Sequence, residues 1–380
     1  MPAPRRAGPA AALTLLVALA GCAPTVTETG EAPPGPESVP RFPAGQVEHG
    51  AFVEPPIDPA TITALAEDRP IRAVATVGQI TDIVEIIGAG RVRVTQIVPG
   101  ADDPHLYVPT PSDVAAFSQA DVIFYNGLFL EGQMGETFRQ MGGLGIPTVA
   151  VTSSFDEDDL LEREYRPGEF VTDPHVWFDP VLWAKAARNV ALVLAALDPA
   201  RAADYAARLA SYEPRLETLR AWSAGRIATV PEAHRVLVTS HDAFNYFGRA
   251  FGIQVRGLQG LSTEAEAGTR DVEALVEFIL ARGVPAVFVE ASVSPEALTA
   301  VTEAGRAAGH EVRIGGQLFS DTPGERGTPE GSYAGMVLWN VATITAALGG
   351  DLSAPPPATL GAGAWAYDAL VAEAAGKATR

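Results

Sequence analysis

Arg235-Val236-Leu237-Val238-Thr239-Ser240-His241-Asp242-Ala243-Phe244-Asn245-Tyr246-Phe247 reads as a buried strand, a polar loop and the start of a helix. Val236, Leu237 and Val238 form an unbroken apolar run, as a strand covered on both faces requires. A helix predicted over residues 243–250 then returns the chain for the next strand, which is the order of a βα unit. Toward the C-terminus the alternation continues, with strands predicted at 253–257, 286–290 and 311–314 and helices at 270–281, 295–308 and 333–348. Toward the N-terminus, residues 198–229 carry no strand signal. There Leu209, Tyr212, Leu216, Leu219 and Trp222 recur at helical spacing and predict one long helix, its aromatic members read as packing. Before it lies another β/α ladder, with strands at 71–77, 91–98, 121–125 and 147–151 and helices at 81–87 and 114–119. Ser112 and Asp113 are placed to cap the second of those helices. The expected fold is therefore α/β, with two β/α lobes, mostly parallel sheets and one long connecting helix. No close internal sequence repeat accompanies this doubled architecture.

Composition agrees with two domains. A chain of 380 residues, 47% of them hydrophobic, can close two cores of ordinary size. Its 46 Asp and Glu outnumber 27 Lys and Arg, so it repels phosphate backbones and has no basic stripe for nucleic acid. The first segment reads as an export signal: Arg5 and Arg6 precede an apolar run over residues 10–20, too short for a permanent membrane span. Leu19-Ala20-Gly21-Cys22 resembles the lipobox of bacterial lipoproteins, which implies lipidation at Cys22; the plainer reading is a buried core cysteine. Cys22 is the only cysteine, so no disulfide can form within one chain. The expected divisions are a signal peptide (1–22), a Pro- and Gly-rich tether (23–70), a first lobe (71–197), the linking helix (198–230), a second lobe (231–350) and a tail (351–380). The tether's His49 reads as a solvated residue, and the tail, with an Ala-rich stretch at 365–375, carries no functional signal.

Four residues stand where chemistry concentrates in such a fold. In open α/β sheets ligands bind beyond the carboxyl ends of strands. His105 follows the strand predicted to end at 98, His241 follows the strand ending at 239, and Asp321 comes after Ile314-Gly315-Gly316-Gln317-Leu318-Phe319. His175, in Asp173-Pro174-His175-Val176-Trp177, lies on a loop entering a helix, so each side of the linking helix holds two candidates. Three imidazoles and a carboxylate make a donor set that Zn²⁺ accepts. Singly, each has a structural reading: a His after Asp-Pro can bond a carbonyl, and Asp321 before Thr322-Pro323-Gly324 is an ordinary turn residue.

The surrounding motifs carry more. They are the stretch from Gly100 through Asp103-Pro104-His105-Leu106-Tyr107 to Asp113, Tyr125-Asn126-Gly127, and Asp173-Pro174-His175-Val176-Trp177-Phe178-Asp179-Pro180. Further along come Ser240-His241-Asp242-Ala243-Phe244, Gly257-Leu258-Gln259-Gly260-Leu261-Ser262-Thr263-Glu264 and Gly315-Gly316-Gln317-Leu318-Phe319-Ser320-Asp321. Together, over about residues 71–348, they resemble the metal-binding receptors of ABC-type zinc and manganese importers. That resemblance implies a metal site in the cleft, with His105 and His175 as ligands from the first lobe and His241 and Asp321 from the second. It also implies an extracytoplasmic, lipid-anchored monomer that delivers the ion to a membrane permease and is no enzyme. Members of the family differ at the third ligand, some having Glu where this chain has His241; imidazole there favours Zn²⁺ over Mn²⁺. Some also carry a His-rich acidic loop, but residues 155–164 have acids and no histidine. Glu290, ending a strand on the ligand side, is expected either to orient an imidazole or to cap Ser292. His234 and His310 begin strands at the opposite end and read as structural. A single linking helix is expected to limit lobe rotation, with loop rearrangement around His241 or Asp321. Two rivals are weighed, a metal-dependent hydrolase and a surface adhesin. The first lacks a His-Glu-x-x-His helix, and adjacent Ser240, His241 and Asp242 cannot form a triad on an extended segment.

Overall fold

Ile71, Ala73, Val74 and Ala75 are all buried, so their strand has protein on both faces. A computed structural model describes residues 58–66, 68–166 and 169–360, for 163–170 the backbone alone. The expected signal peptide, Cys22, His49, the tether up to residue 57 and the stretch 365–375 lie outside the described residues.

The first lobe runs β1 (Ile71–Ala75), α1 (Gly78–Gly88), β2 (Val92–Gln96), α2 (Pro111–Ser118), β3 (Val122–Tyr125), α3 (Gly135–Gly143) and β4 (Thr148–Ala150). Its strands are parallel in the order β2-β1-β3-β4. An antiparallel hairpin, β5 (Glu162–Arg166) and β6 (Glu169–Thr172), follows. Then come α4 (Pro180–Leu197) and the long α5 (Ala202–Ile227). The second lobe runs β7 (Val236–Thr239), α6 (Asn245–Phe251), β8 (Gln254–Gly257), α7 (Thr269–Arg282), β9 (Ala286–Glu290), α8 (Glu296–Ala307), β10 (Arg313–Leu318) and α9 (Tyr333–Ala347). Its order is β10-β9-β7-β8, again all parallel. Read from the β8 edge, that is second, first, third, fourth, the same order as the first lobe. The fold is thus built twice, and each sheet reverses strand order beside its first strand, where open α/β sheets form a ligand crevice.

The linking helix is more than a spacer. Tyr205, Tyr212, Leu216, Leu219, Trp222 and Ile227 bury one face of α5, which packs against α1 and α4 from the first lobe and α6 and α9 from the second. Pro214 lies inside this helix on its exposed side, where losing one backbone donor can be made good by water. Beyond α9 the chain returns to α5, the Trp222 indole donating to the Ala354 carbonyl at 3.1 Å.

Two local expectations need correction. The cap of α2 is Thr110, not Ser112 or Asp113: its hydroxyl accepts from the Asp113 amide while the Asp113 carboxylate accepts from the Thr110 amide. Pro111 at the first helical position, where no amide partner is needed, moves the start forward. The last strand runs on to Leu318 instead of stopping at 314. Gly315 and Gly316 suggest a break, but at Gly315 a β-carbon would sit 2.7 Å from the Phe288 ring and 2.8 Å from Ala347, so glycine here permits close packing of a continuing strand. The hairpin β5–β6 was not anticipated.

Candidate metal centre

The two carboxyl edges meet, and the four candidates converge between them. His105, His175, His241 and Asp321 are buried, and one donor atom from each lies within 4.8 Å of all the others. Three of the atoms form a nearly equilateral triangle. His175 Nε2 is 3.3 Å from His241 Nε2 and 3.3 Å from Asp321 Oδ1, and His241 Nε2 is 3.4 Å from the same oxygen. A tetrahedral ion with bonds of about 2.0–2.1 Å has ligand–ligand edges of about 3.3–3.4 Å. The His105 ring stands slightly farther out, its centroid 5.5 and 5.9 Å from those of His175 and His241, which are 5.2 Å from each other.

Each position has a local cause. Asp173-Pro174-His175 is a tight turn in which Asp173 Oδ1 accepts the His175 amide at 2.9 Å and meets the ring Nδ1 at 2.8 Å. This leaves Nε2 directed at the cluster. Asp103-Pro104-His105 repeats the turn, with Asp103 Oδ1 accepting the His105 amide at 2.8 Å. His241 is placed by register: Thr239 pairs with Phe288, so two residues on, His241 comes level with Glu290. Glu290 Oε1 accepts the His241 amide at 2.8 Å. Its Oε2 lies 2.6 Å from His241 Nδ1, a close charge contact whose angle falls outside hydrogen-bond geometry. Of the two expectations for Glu290, orientation of an imidazole matches the structure; the Ser292 hydroxyl instead donates to Asp321 Oδ2 at 2.8 Å. Gly257 lets the His241 loop pass, because a β-carbon there would sit 2.5 Å from the Asp242 nitrogen. Asp321 is fixed from behind: Gln79 donates to its carbonyl at 2.8 Å, and Trp177 donates to the Ser320 carbonyl at 2.9 Å.

The other two histidines among the described residues lie elsewhere. His234 Nδ1 is 3.3 Å from the Leu348 carbonyl and His310 Nε2 is 2.8 Å from that of Val284, both structural contacts away from the cluster. The sequence assigned no role to Asp103, Asp173, Asn245 or Thr263, and it offered Ser292 only as a partner of Glu290. The repeated Asp-Pro-His was the signal for the first two; the others come from distant segments.

Electrostatics bind the four into one unit. Burial pushes His105 down to about 3, against the attraction of Asp321. Burial also resists charging of His175, but Asp173 and Asp321 outweigh it and raise this ring above its ordinary value. For His241 burial is again opposed, by Glu290 and Asp321, and the ring lies well above the usual range. Burial works against the Asp321 carboxylate too, yet His241 and His175 hold it well below the usual carboxylate range. A buried anion surrounded by imidazoles that prefer a positive charge is a place where a cation can replace protons.

Fold and cluster together define a two-lobed α/β binding protein whose cleft presents three imidazoles and a carboxylate, a donor set suited to a divalent transition metal. The chain matches the family described as zinc-uptake complex component A, periplasmic, over residues 73–347, and it belongs to that family. It is 42% identical over 285 residues to the zinc-binding protein TroA of Treponema pallidum, covering 75% of this chain and 91% of that protein. The solved structure of TroA superposes with a TM-score of 0.71, covering 73% of this chain and 99% of that one. The manganese-binding lipoprotein MntA of Bacillus subtilis is also 42% identical, over 74% of this chain and 90% of MntA. The manganese ABC transporter substrate-binding lipoprotein PsaA of Streptococcus mitis is 30% identical, over 74% of this chain and 91% of PsaA.

Proposed function

We propose that this chain is the extracytoplasmic substrate-binding lipoprotein of an ABC importer, taking up one Zn²⁺ or Mn²⁺ ion between its lobes and presenting it to a membrane permease. His105, His175, His241 and Asp321 are the ligands. The single observation that carries this reading is the triangle of His175, His241 and Asp321 donors with edges of 3.3, 3.3 and 3.4 Å. Those edges suit four-coordinate zinc, and three imidazoles against one carboxylate tilt the site the same way. Zinc is accordingly the preferred ion, with manganese the alternative, since relatives named for each metal are equally similar. Lipidation at Cys22, a tether to the membrane and action as a monomer complete the proposal, placing the protein in the periplasm or on the outer face of the cytoplasmic membrane. Four protein donors leave no coordination site for an activated water, which argues against the hydrolase. The names of the relatives favour transport over adhesion.

The test is elemental analysis of the purified chain after loading with zinc or manganese and desalting. One equivalent of metal per chain is the expected result, and none would refute the reading. Glu290 supplies a second check. Its carboxylate orients His241 and raises its basicity, so Glu290→Gln is expected to weaken zinc binding by about 10- to 100-fold in competition with a chromophoric chelator. Unchanged affinity would reduce Glu290 to a fold residue.

A further inference from the structure

The two Asp-Pro-His turns are built alike but tied to the second lobe differently. In each, one aspartate oxygen accepts the histidine amide. In each, the other oxygen is taken by a side chain from the opposite lobe. For Asp173 that partner is the Asn245 amide at 2.9 Å, carried on the first residue of α6. For Asp103 it is the Thr263 hydroxyl, carried on the loop between β8 and α7. The rings differ as well. Asp173 also holds the His175 ring at 2.8 Å, and Glu290 faces the His241 ring at 2.6 Å. His105 Nε2 has no hydrogen-bond partner among the described residues, and the contact that places this residue runs through its backbone to Asp103. His105 is itself buried, but its turn borders water: Leu106 and Val108 just after it are 48% and 67% exposed, whereas Val176 and Trp177, just after His175, are fully buried.

Building on the metal-receptor reading, we infer that the Asp103–Thr263 contact is the latch of the site. Thr263 is a positioning residue that holds His105 against the ion, and His105 is the first ligand to leave when metal is released. A second cross-lobe contact, Gln133 to Glu264 at 3.1 Å, lies on the residue next to Thr263 and closes with it. Opening the loop breaks both ties, frees Asp103 and lets the His105 turn move out, while the two imidazoles with carboxylate partners and Asp321 stay in place. The first movement thus falls on His105, not on the loops of His241 or Asp321.

The experiment loads the full chain with one equivalent of zinc and measures release by stopped-flow into excess chelator, with uptake rates and the visible spectrum of the Co²⁺ form recorded alongside. Thr263→Val is expected to speed release at least about tenfold, the worth of one hydrogen bond to a charged group. Uptake rate and the Co²⁺ spectrum stay as in the wild type, because all four ligands remain. Thr263→Ser, which keeps the hydroxyl, restores slow release. The inference is overturned if Thr263→Val releases zinc within twofold of the wild type, if its Co²⁺ spectrum changes, or if Thr263→Ser is as fast as Thr263→Val. Normal metal loading with any of those results overturns the latch alone; failure of the wild type to load overturns the receptor reading and the latch with it.

Discussion

Replacing His241 with alanine is expected to lower zinc affinity by about 10³-fold, measured by competition with a high-affinity chelator. The change has two parts. One ligand of the 3.3–3.4 Å triangle disappears, which lowers affinity, and Glu290, buried and facing the ring at 2.6 Å, is left without its partner. A carboxylate stranded in a buried site costs about 3–5 kcal/mol, but metal-free and loaded protein bear that cost alike, so it falls on stability and not on affinity. Because Glu290 Oε1 also holds the backbone of residue 241 at 2.8 Å, the fold around the site should survive, so lost affinity can be separated from unfolding by circular dichroism. Affinity within tenfold of the wild type would remove His241 from the ligand set.

Acidification should release the metal, and the sign follows from the site. A ligand imidazole must be neutral. His175 and His241 are both raised above their ordinary values by neighbouring carboxylates, so protons hold them more tightly than they hold a free histidine. His105, pushed down to about 3, stays neutral and takes no part in the competition. As pH falls, each of the two raised rings charges already above the ordinary histidine range, so the ion competes with protons over the whole span from neutral downward. Zinc affinity is therefore expected to drop by at least about 100-fold between pH 7 and 5, one decade or more per unit. In the metal-free protein the same raised rings stabilise the fold below the ordinary histidine value, and that contribution is lost as pH rises through their folded values. Metal-induced stabilisation should consequently grow with pH. A calorimetric titration showing affinity flat over pH 7 to 5 would contradict ligation by His175 and His241.

Much of this architecture was legible because alternation of apolar strands with helical periods is a local property. Val236 to Val238 and the stripe from Leu209 to Trp222 needed no tertiary context. The repeated 2-1-3-4 strand order was visible only as two similar ladders, since which strands pair is set by packing and not by any one segment. A helix was expected after the His175 loop, but the bounds of α4 were not legible because it is buried around most of its circumference and so lacks a clear polar face. The ends of β10 were hidden by Gly315 and Gly316, whose meaning depends on Phe288 across the sheet. At the site, position after a strand marked His105, His241 and Asp321, while the choice between two roles for Glu290 waited on the Thr239–Phe288 register. Thr263 lay inside a recognised motif, yet nothing in its own segment indicates that Asp103, 160 residues away in sequence, is its partner.

The central claim is most directly tested by anomalous diffraction at the zinc absorption edge from crystals of the metal-loaded protein. The expected result is one strong anomalous peak between the lobes, about 2.0–2.2 Å from donor atoms of His105, His175, His241 and Asp321. A peak elsewhere on the molecule, or one that omits either His241 or Asp321 from its coordination, would contradict it.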